Sequence, residues 1–426
     1  MLSTTLIWFR RNLRLSDNAV LQAALARGLP VAGMWRAESP SECGNPRQAR
    51  FLYESAAELH GALAAYGIPL YTVQGRAEDE LPRLAVTLNA AAVLADEAYT
   101  PSEILADNRL WHTLDERGIP FIRLNDRAVF AKADLMNEHG RPYQDFLPYR
   151  QAWLQAYQQQ YAEYRPSESR TLPFQTALAE RPPFPERREL HEPQPLAVHR
   201  GGVAAAEKQW ANFAAEADFY PLLKDFPARK ATAHISAYLT AGCLSARALA
   251  HNAWQQRHTA WLDTLIRRDF YLQRAFHAEG NGMPSESGQA DAEFLRRWQA
   301  GQTGFPLVDA AMRCLVQSGW LHPALRSAVA GFWCGTLQQP WQAGAAWFAA
   351  QLTDYEPAAN HGNWQEAATM PVMHPVVSAQ KLDPDGTFVR RYLPELAHLP
   401  QDFIHTPWLA GSNADTHGYP PPLVSV

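Results

Sequence analysis

The first 130 residues alternate short apolar runs with amphipathic stretches, and beyond about residue 200 helical patterns follow one another without strands between them. Nothing else in this 426-residue chain limits its fold so strongly. Thr5–Phe9 and Val31–Trp35 read as buried strands, and Pro69–Val73, Ala92–Leu94 and Pro120–Leu124 as shorter ones. Between them, Gln48–Ala65 places Phe51, Leu52, Leu59 and Leu63 on one side of a helix. Strand–helix–strand alternation predicts an α/β fold, a doubly wound parallel sheet. Ligands of such sheets bind beyond the C-terminal ends of the strands. Arg10-Arg11-Asn12-Leu13-Arg14 directly follows the first strand, placed to hold a ligand or to tie this domain to its neighbour.

The chain is too long for one ordinary domain. Pro166, Pro173, Pro182, Pro183, Pro185, Pro193 and Pro195 break helices and restrict φ, which predicts a long extended connection. The expected organisation is therefore an α/β domain over 1–130, an extended Pro-rich linker over 131–200 and an all-α domain over 201–426. In the last, Ala204–Ala215, Ser245–Arg257, Leu262–His277, Ala292–Ala300, Pro306–Ser318, Pro323–Leu337, Gly344–Leu352 and Thr387–Leu393 read as helices. Ten of the 14 tryptophans lie there, most of them as interhelix packing.

The net charge of −5 offers no bulk attraction to nucleic acid, and from Arg200 onward 17 Lys+Arg face 19 Asp+Glu. A DNA contact would need a local cluster of cations. Arg267–Arg268, Arg296–Arg297 and Arg390–Arg391 are the visible clusters, each also readable as a solvated helix face. The four cysteines form no CxxC pair, so neither a zinc site nor a disulfide framework is expected, and a cytoplasmic location fits. No apolar run is long enough for a bilayer, and the N-terminus lacks a signal-peptide order. No metal, no membrane and a monomer are the expectations.

The stretch Asp354–Gln365, Asp-Tyr-Glu-Pro-Ala-Ala-Asn-His-Gly-Asn-Trp-Gln, packs acid, amide, imidazole and indole groups into what reads as one short, Gly-broken turn. Such groups suit a buried aromatic cofactor, whose polar edge carboxylates and amides can bond. The plainer reading is a helix end in which Asn360 and Asn363 cap and Trp364 fills core.

Leu6-Ile-Trp-Phe-Arg-Arg-Asn-Leu-Arg-Leu-Ser-Asp-Asn18, Pro46-Arg47-Gln48, Gly304-Phe-Pro-Leu-Val-Asp-Ala-Ala-Met312, Ser318-Gly-Trp-Leu-His322, Asp354–Gln365 and Arg391-Tyr-Leu-Pro-Glu-Leu396 run in order along nearly the whole chain. Together they resemble the DNA photolyase/cryptochrome family. The resemblance implies an N-terminal antenna domain and a C-terminal helical domain holding U-shaped FAD. It also implies DNA as partner, with light-driven electron transfer to a pyrimidine dimer.

By the same resemblance, Tyr220, Thr232 and Ser236 match contacts to the FAD phosphate region, although Ala233 and His234 replace a usual Ser-Arg. Trp261 and Arg268 match a wall residue and a cation near the phosphates. Arg326 and Asp354 match the buried ion pair beside the isoalloxazine, and Asn360 the amide facing its N5. Glu356 stands where an Asp usually reaches the flavin's polar edge. Trp364 and Trp341 match the inner two members of a tryptophan relay. Its outermost place holds Gly288, so either Trp333 or Trp347 completes a detour or photoreduction is slow.

The lesion pocket departs most from the family pattern. Thr264 and Arg267 stand for a Glu and a Trp, Pro323 and Ala324 for Asn-Arg, Ser327 for a Met and Glu366 for a second Trp. The segment Ala367–Leu382 is shorter than usual. Glu103 matches a pterin contact, but Glu42 and Ser102 do not match theirs, which leaves a second antenna chromophore open. The Ser318–His322 run is similar to cyclobutane-dimer photolyases, whereas Gly362–Gln365 and Lys381–Gly386 are similar to DASH cryptochromes. Two functions stay in view: a deoxyribodipyrimidine photolyase, and a non-repairing DNA-binding or blue-light-sensing flavoprotein.

Overall fold

The computed structural model describes residues 3–37, 44–161, 163–167, 182–185, 199–278, 289–371, 373–411 and 415–425. They fall into two compact units. One holds the described residues within 1–192, 199–214 and 233–282, the other those within 215–232 and 283–426.

The first unit is built on five parallel strands, β1 (Thr4–Phe9), β2 (Val31–Arg36), β3 (Leu70–Val73), β4 (Ala90–Asp96) and β5 (Phe121–Leu124). Their order is β3-β2-β1-β4-β5. Thr5 pairs with Val31 on one side and with Ala92 on the other, which centres β1. All six β1 residues are buried, as a central parallel strand requires. Alternation sends Leu6 and Trp8 to one face, into a core with Leu81 and Ala85 of α3 (Ala77–Thr87) and Leu110 and Leu114 of α4 (Pro101–Asp115). Helices α1 (Ala19–Ala26) and α2 (Pro46–Ala64) complete the wound layer. Each starts on an asparagine side chain that accepts an orphan N–H, Asn18 from Leu21 and Asn45 from Gln48.

The expected linker over 131–200 is not extended throughout. Residues Phe146–Gln160 form helix α5, which buries Tyr149, Trp153 and Tyr157 at four-residue spacing. That spacing makes one aromatic stripe, and Trp153 stacks on Tyr157 at 4.8 Å. Pro182–Pro185 have no regular secondary structure. There Phe184 lies 5.9 Å from Trp35, and the Tyr53 hydroxyl donates to the Pro185 carbonyl at 2.5 Å.

Helices α6 (Val203–Ala214), α8 (Ser236–Ala241), α9 (Ala246–Gln255) and α10 (Thr259–Phe276) also belong to this unit. Charges tie them to the sheet. Arg247 of α9 reaches Asp126 at 2.9 Å, and Arg14, after β1, reaches the same carboxylate at 2.8 Å. Asp269 of α10 accepts the Val129 N–H at 3.0 Å and the Trp153 indole N–H at 3.1 Å. Gly242, at φ +74°, ends α8 where a Cβ would sit 1.9 Å from the Arg11 carbonyl, so only glycine fits.

The second unit contains α7 (Tyr220–Leu223), α11 (Ala292–Gln299), α12 (Pro306–Ser318), α13 (Pro323–Gly331), α14 (Trp341–Gln351), α15 (Pro357–Thr369), α16 (Pro375–Leu382) and α17 (Thr387–Tyr392). The helix expected over Pro323–Leu337 stops as α-helix at Gly331 and continues as one wide π turn, Phe332–Thr336. Its core gathers Trp298, Phe305, Phe332, Trp333, Phe348, Trp364 and Phe388. Trp364 requires Gly344 opposite it, because a Cβ there would lie 2.3 Å from the indole. Among the described residues no helix is long and apolar enough to cross a membrane.

Two outcomes follow. Gly344→Ala should cost about 1–3 kcal/mol in denaturant unfolding through overpacking, and less when Trp364→Phe is also present. Additive losses would separate the two residues. Asp269 is the second case: burial pushes its pKa up to about 6. A raised carboxyl pKa means the fold holds this proton more tightly than the unfolded chain does. Its contribution is complete below about pH 4 and is lost as pH rises through 6. Between those values the unfolding free energy should fall by about 2–3 kcal/mol more in the parent than in Asp269→Asn. Parallel pH profiles would remove Asp269 as the cause.

Candidate functional site

In the second unit the informative residues cluster on α13, α14 and α15. Asp354–Gln365 is not a Gly-broken turn. The structure runs α15 straight through it, with Pro357 at the first helical position and Gly362 inside. Glu356 is the cap: its carboxylate accepts the Ala359 N–H at 2.7 Å, and the side chain is buried. An acid at a helix start also meets the positive end of the helix dipole. The caps expected at Asn360 and Asn363 are instead mid-helix residues.

One turn apart on α15, Asn360 and Trp364 face α14. The Asn360 amide donates to the Ala345 carbonyl at 3.1 Å, and Trp364 lies against Gly344. The Trp364 ring meets Phe348 edge-on at 5.1 Å and Trp298 at 6.2 Å, and Trp298 meets Trp333 at 4.7 Å. Trp341, at the start of α14, packs its ring on His361 at 4.6 Å. The two expected relay residues are therefore on adjacent helices, but the indole in ring contact with Trp364 is Trp298. Spacing along the sequence gives no sign of that pairing, because Trp298 comes from α11.

Arg326 of α13 donates to Asp354 at 2.8 Å and to the Leu321 carbonyl at 2.8 Å. The pair is asymmetric in exposure. The Asp354 side chain is 1% exposed and that of Arg326 29%, so the cation's outer edge is open while the acid is enclosed. His322 caps α13 through its ring, with Nδ1 accepting the Ala324 N–H at 3.2 Å, and Pro323 opens the helix. Those two residues make a helix start at this place. Tyr220 is buried at the start of α7. The hydroxyl of Thr232 is buried without a hydrogen-bond partner. A polar atom in that state signals a missing acceptor or donor.

In the first unit, Ser236 opens α8. Trp261 and Arg268 stand two turns apart on α10. Trp261 is buried against Trp210 at 4.8 Å and Phe213 at 5.6 Å. Arg268 donates to the Arg127 carbonyl. On the same helix Thr264 is exposed, with its hydroxyl turned back to the Trp261 carbonyl at 2.7 Å. Arg267 is half-buried, with its guanidinium 4.0 Å over the Phe146 ring.

The cations after β1 are engaged within this unit. Arg10 bridges Asp107 at 2.7 Å and Asp96 at 3.0 Å, and Arg14 also donates to the Gly242 carbonyl at 3.1 Å. Of the two roles open to the Arg10–Arg14 run, the structure gives it tying. Glu103 closes the start of α4, accepting from Tyr99 and Thr100, and pairs with Arg127 at 3.0 Å. Nearby cations hold its carboxyl well below the usual carboxylate range despite burial, which alone would raise it. Gly288 and Glu42 lie outside the described residues.

Comparison with known proteins agrees with these motifs at both ends of the chain. Residues 5–169 match the family described as DNA photolyase, and residues 251–426 match the FAD binding domain of DNA photolyase. The deoxyribodipyrimidine photo-lyase of Vibrio cholerae is 34% identical over 438 residues, covering 95% of this chain and 92% of that one. Among solved structures, the bacterial class III photolyase from Agrobacterium tumefaciens superposes with a TM-score of 0.87 at 28% identity, covering 100% of this chain and 95% of that one. A Synechocystis cryptochrome gives a TM-score of 0.83 at 27% identity, covering 100% and 97%. Motifs, domain matches and full-length similarity coincide, and the chain belongs to the DNA photolyase/cryptochrome family of FAD-binding flavoproteins.

Proposed function

We propose that the chain is a light-driven deoxyribodipyrimidine photolyase whose hold on its lesion is weak. The observation that carries the flavin part is the unpartnered, buried hydroxyl of Thr232. An oxygen in that condition fits a phosphate, which accepts its proton. Within the same unit Tyr220 supplies a second hydroxyl. In the first unit, taken by itself, Ser236, Trp261 and Arg268 keep the hydroxyl, wall and cation that the family pattern assigns to flavin contacts. Arg326 and Asp354 supply a fixed charge pair, and Asn360 an amide held by the Ala345 carbonyl. Reduced FAD held by these residues would supply light-driven one-electron chemistry for splitting a cyclobutane dimer. The chain's own residues orient the cofactor and exclude water from it.

Glu356 takes no part in binding the flavin edge in this reading, because its carboxylate caps α15. Trp364 and Trp341 are the relay residues, and Asn360 sets the proton environment of the ring. The contacts Trp364–Trp298–Trp333 favour the detour through Trp333. Residues 201–426 would supply most of the cofactor site and 1–130 the antenna domain.

The second reading is a flavoprotein that binds DNA or senses blue light without repair. Half-buried Glu366, two residues past Trp364, favours it. A carboxylate there offers no stacking face and repels phosphates. Exposed Thr264 and the helix start at Pro323 and Ala324 point the same way.

The purified protein should be yellow, with a flavin spectrum. Blue light plus a reductant should lower the dimer count of an oligonucleotide slowly, and Trp364→Phe should slow flavin photoreduction at least tenfold. An unchanged dimer count with reduced FAD bound would leave the second reading in place. Thr232→Val should raise the FAD dissociation constant roughly tenfold, the value of one hydrogen bond to a charged group. Equal retention of FAD by parent and variant would take Thr232 out of the site.

A further inference from the structure

Helix α5 carries a line of stacked rings that the flavin chemistry above does not use. Trp153 stacks on Tyr157 at 4.8 Å and Tyr157 on Tyr161 at 5.5 Å, with planes only 6° and 13° apart. Tyr161 meets Tyr164, just past the helix end, edge-on at 5.7 Å. Trp254 of α9 joins the line at Tyr157, 5.2 Å away. Depth changes along it. Trp153 and Tyr157 are fully buried, whereas Tyr161 and Tyr164 are half-buried.

Indoles and phenols in ring contact pass an electron readily, so the resting place of an oxidised state depends on where a proton can go. A phenol that loses an electron becomes a strong acid, and it gives the electron up easily only when a base takes the proton. The Tyr157 hydroxyl is buried without a hydrogen-bond partner. That of Tyr161 donates to the Val129 carbonyl at 3.0 Å, and an amide oxygen is a feeble base. Tyr164 differs, because its hydroxyl donates to the Asp17 carboxylate. The Ser245 hydroxyl donates to the other oxygen of that carboxylate, and Arg247 lies 3.6 Å from it, so the base is held in place. Burial, and then the bonded carboxylate, raise the Tyr164 hydroxyl above the ordinary phenol value, so it keeps its proton until an electron leaves.

We infer that Tyr164 is a redox-active tyrosine with Asp17 as its proton acceptor, the outlet through which an oxidised indole at Trp153 or Trp254 is refilled. A one-electron oxidant takes an electron from the indole and is itself reduced. Tyr164 returns an electron to the indole through the rings of Tyr161 and Tyr157, neither of which loses its proton. The Tyr164 O–H bond breaks as Asp17 gains that proton. The products are an intact indole, a neutral Tyr164 phenoxyl radical and a protonated Asp17. A thiolate in solution then supplies one electron, becoming a thiyl radical, and Asp17 hands the proton back. An oxidising equivalent is thereby moved from the buried end of the line to the half-buried end, where a solution reductant removes it. Every group in this sequence belongs to the first unit, so its failure would leave the photolyase reading untouched.

The test is pulse radiolysis of the FAD-loaded protein with azide radicals, which take one electron from indoles, followed by the absorption of tryptophanyl and tyrosyl radicals. The parent should convert indole radical into tyrosyl radical at a rate independent of protein concentration. Tyr164→Phe keeps a ring and removes the hydroxyl, and most of that tyrosyl growth should disappear. Asp17→Asn keeps an oxygen for the hydroxyl but no base, and should slow the growth roughly a hundredfold, the low end of what a positioned base contributes. The flavin spectrum reports that each variant is folded, and Tyr164→Phe decides alone if Asp17→Asn does not fold. Parental tyrosyl growth in Tyr164→Phe would put the radical on another tyrosine and overturn the assignment. A parental rate in Asp17→Asn would overturn Asp17 as the acceptor. A parent that keeps its indole radicals and forms no tyrosyl radical would overturn the outlet altogether.

Discussion

A carboxylate enclosed away from water holds the first unit together. Asp269 sits on α10, yet its partners are the Val129 N–H beyond β5 and the Trp153 indole on α5. One side chain therefore fixes three parts of the chain that are far apart in sequence. Burial opposes its ionisation, so the carboxyl's proton is retained to about pH 6, and the charge of Arg268, followed by the donated hydrogen bonds, supplies the counterweight. The same tactic recurs nearby in stronger form. Arg14 and Arg247 converge on Asp126, while Arg10 lies between Asp96 and Asp107. Such buried pairs contribute specificity more than stability, because desolvation offsets much of the attraction. Their geometric effect is to align α8, α9 and α10 with the C-terminal edge of the sheet. A unit that contains both the sheet and these helices follows from that alignment, even though periodicity alone would divide the chain near residue 200.

The strands were legible because each is a short apolar run between turn residues, and every one of the five was placed within two residues of its observed limits. Eight helical segments of the second half were also readable from their spacing, whereas α7, α8, α15 and α16 were not. What sequence patterns did not show was which charges would meet. Nothing in the run Arg10–Arg14 distinguishes a ligand cradle from an internal tie, since that depends on Asp96, Asp107 and Asp126 arriving from other strands. Helix α5 was hidden by the prolines that follow it, although its aromatic residues at 149, 153 and 157 are a helical stripe in plain view. Around Asp354–Gln365 the glycine misled. Pro357 after an acid is a helix-start signature, and it outweighs one interior Gly, whose cost is only about 1 kcal/mol.

The candidate site was legible as a set of residues and much less as a geometry. Arg326 and Asp354 do pair, at 2.8 Å, and Asn360 and Trp364 do share one face of a helix. Glu356 shows what identity alone leaves out: one of its carboxylate oxygens accepts the Ala359 N–H at 2.7 Å, a helix cap worth about 1 kcal/mol. Trp298 was invisible for the opposite reason. It carries no motif, and only packing reveals it as the indole that touches both Trp364 and Trp333.

These features bear on one question of selection between repair and binding. A repair enzyme needs its lesion held still while an electron crosses, so each lost stacking face lowers residence as well as affinity. On the proposed reading, Glu366 offers no stacking face and adds repulsion. The start of α13 turns Pro323 and Ala324 into helix and ties His322 to its cap. Stacking on a base is an attraction that salt barely screens, whereas a cation beside a phosphate attracts less as salt rises. On the proposed reading, the loss of stacking faces therefore lowers discrimination between damaged and undamaged DNA at every ionic strength, and the balance of the two readings reduces to how long a lesion stays bound.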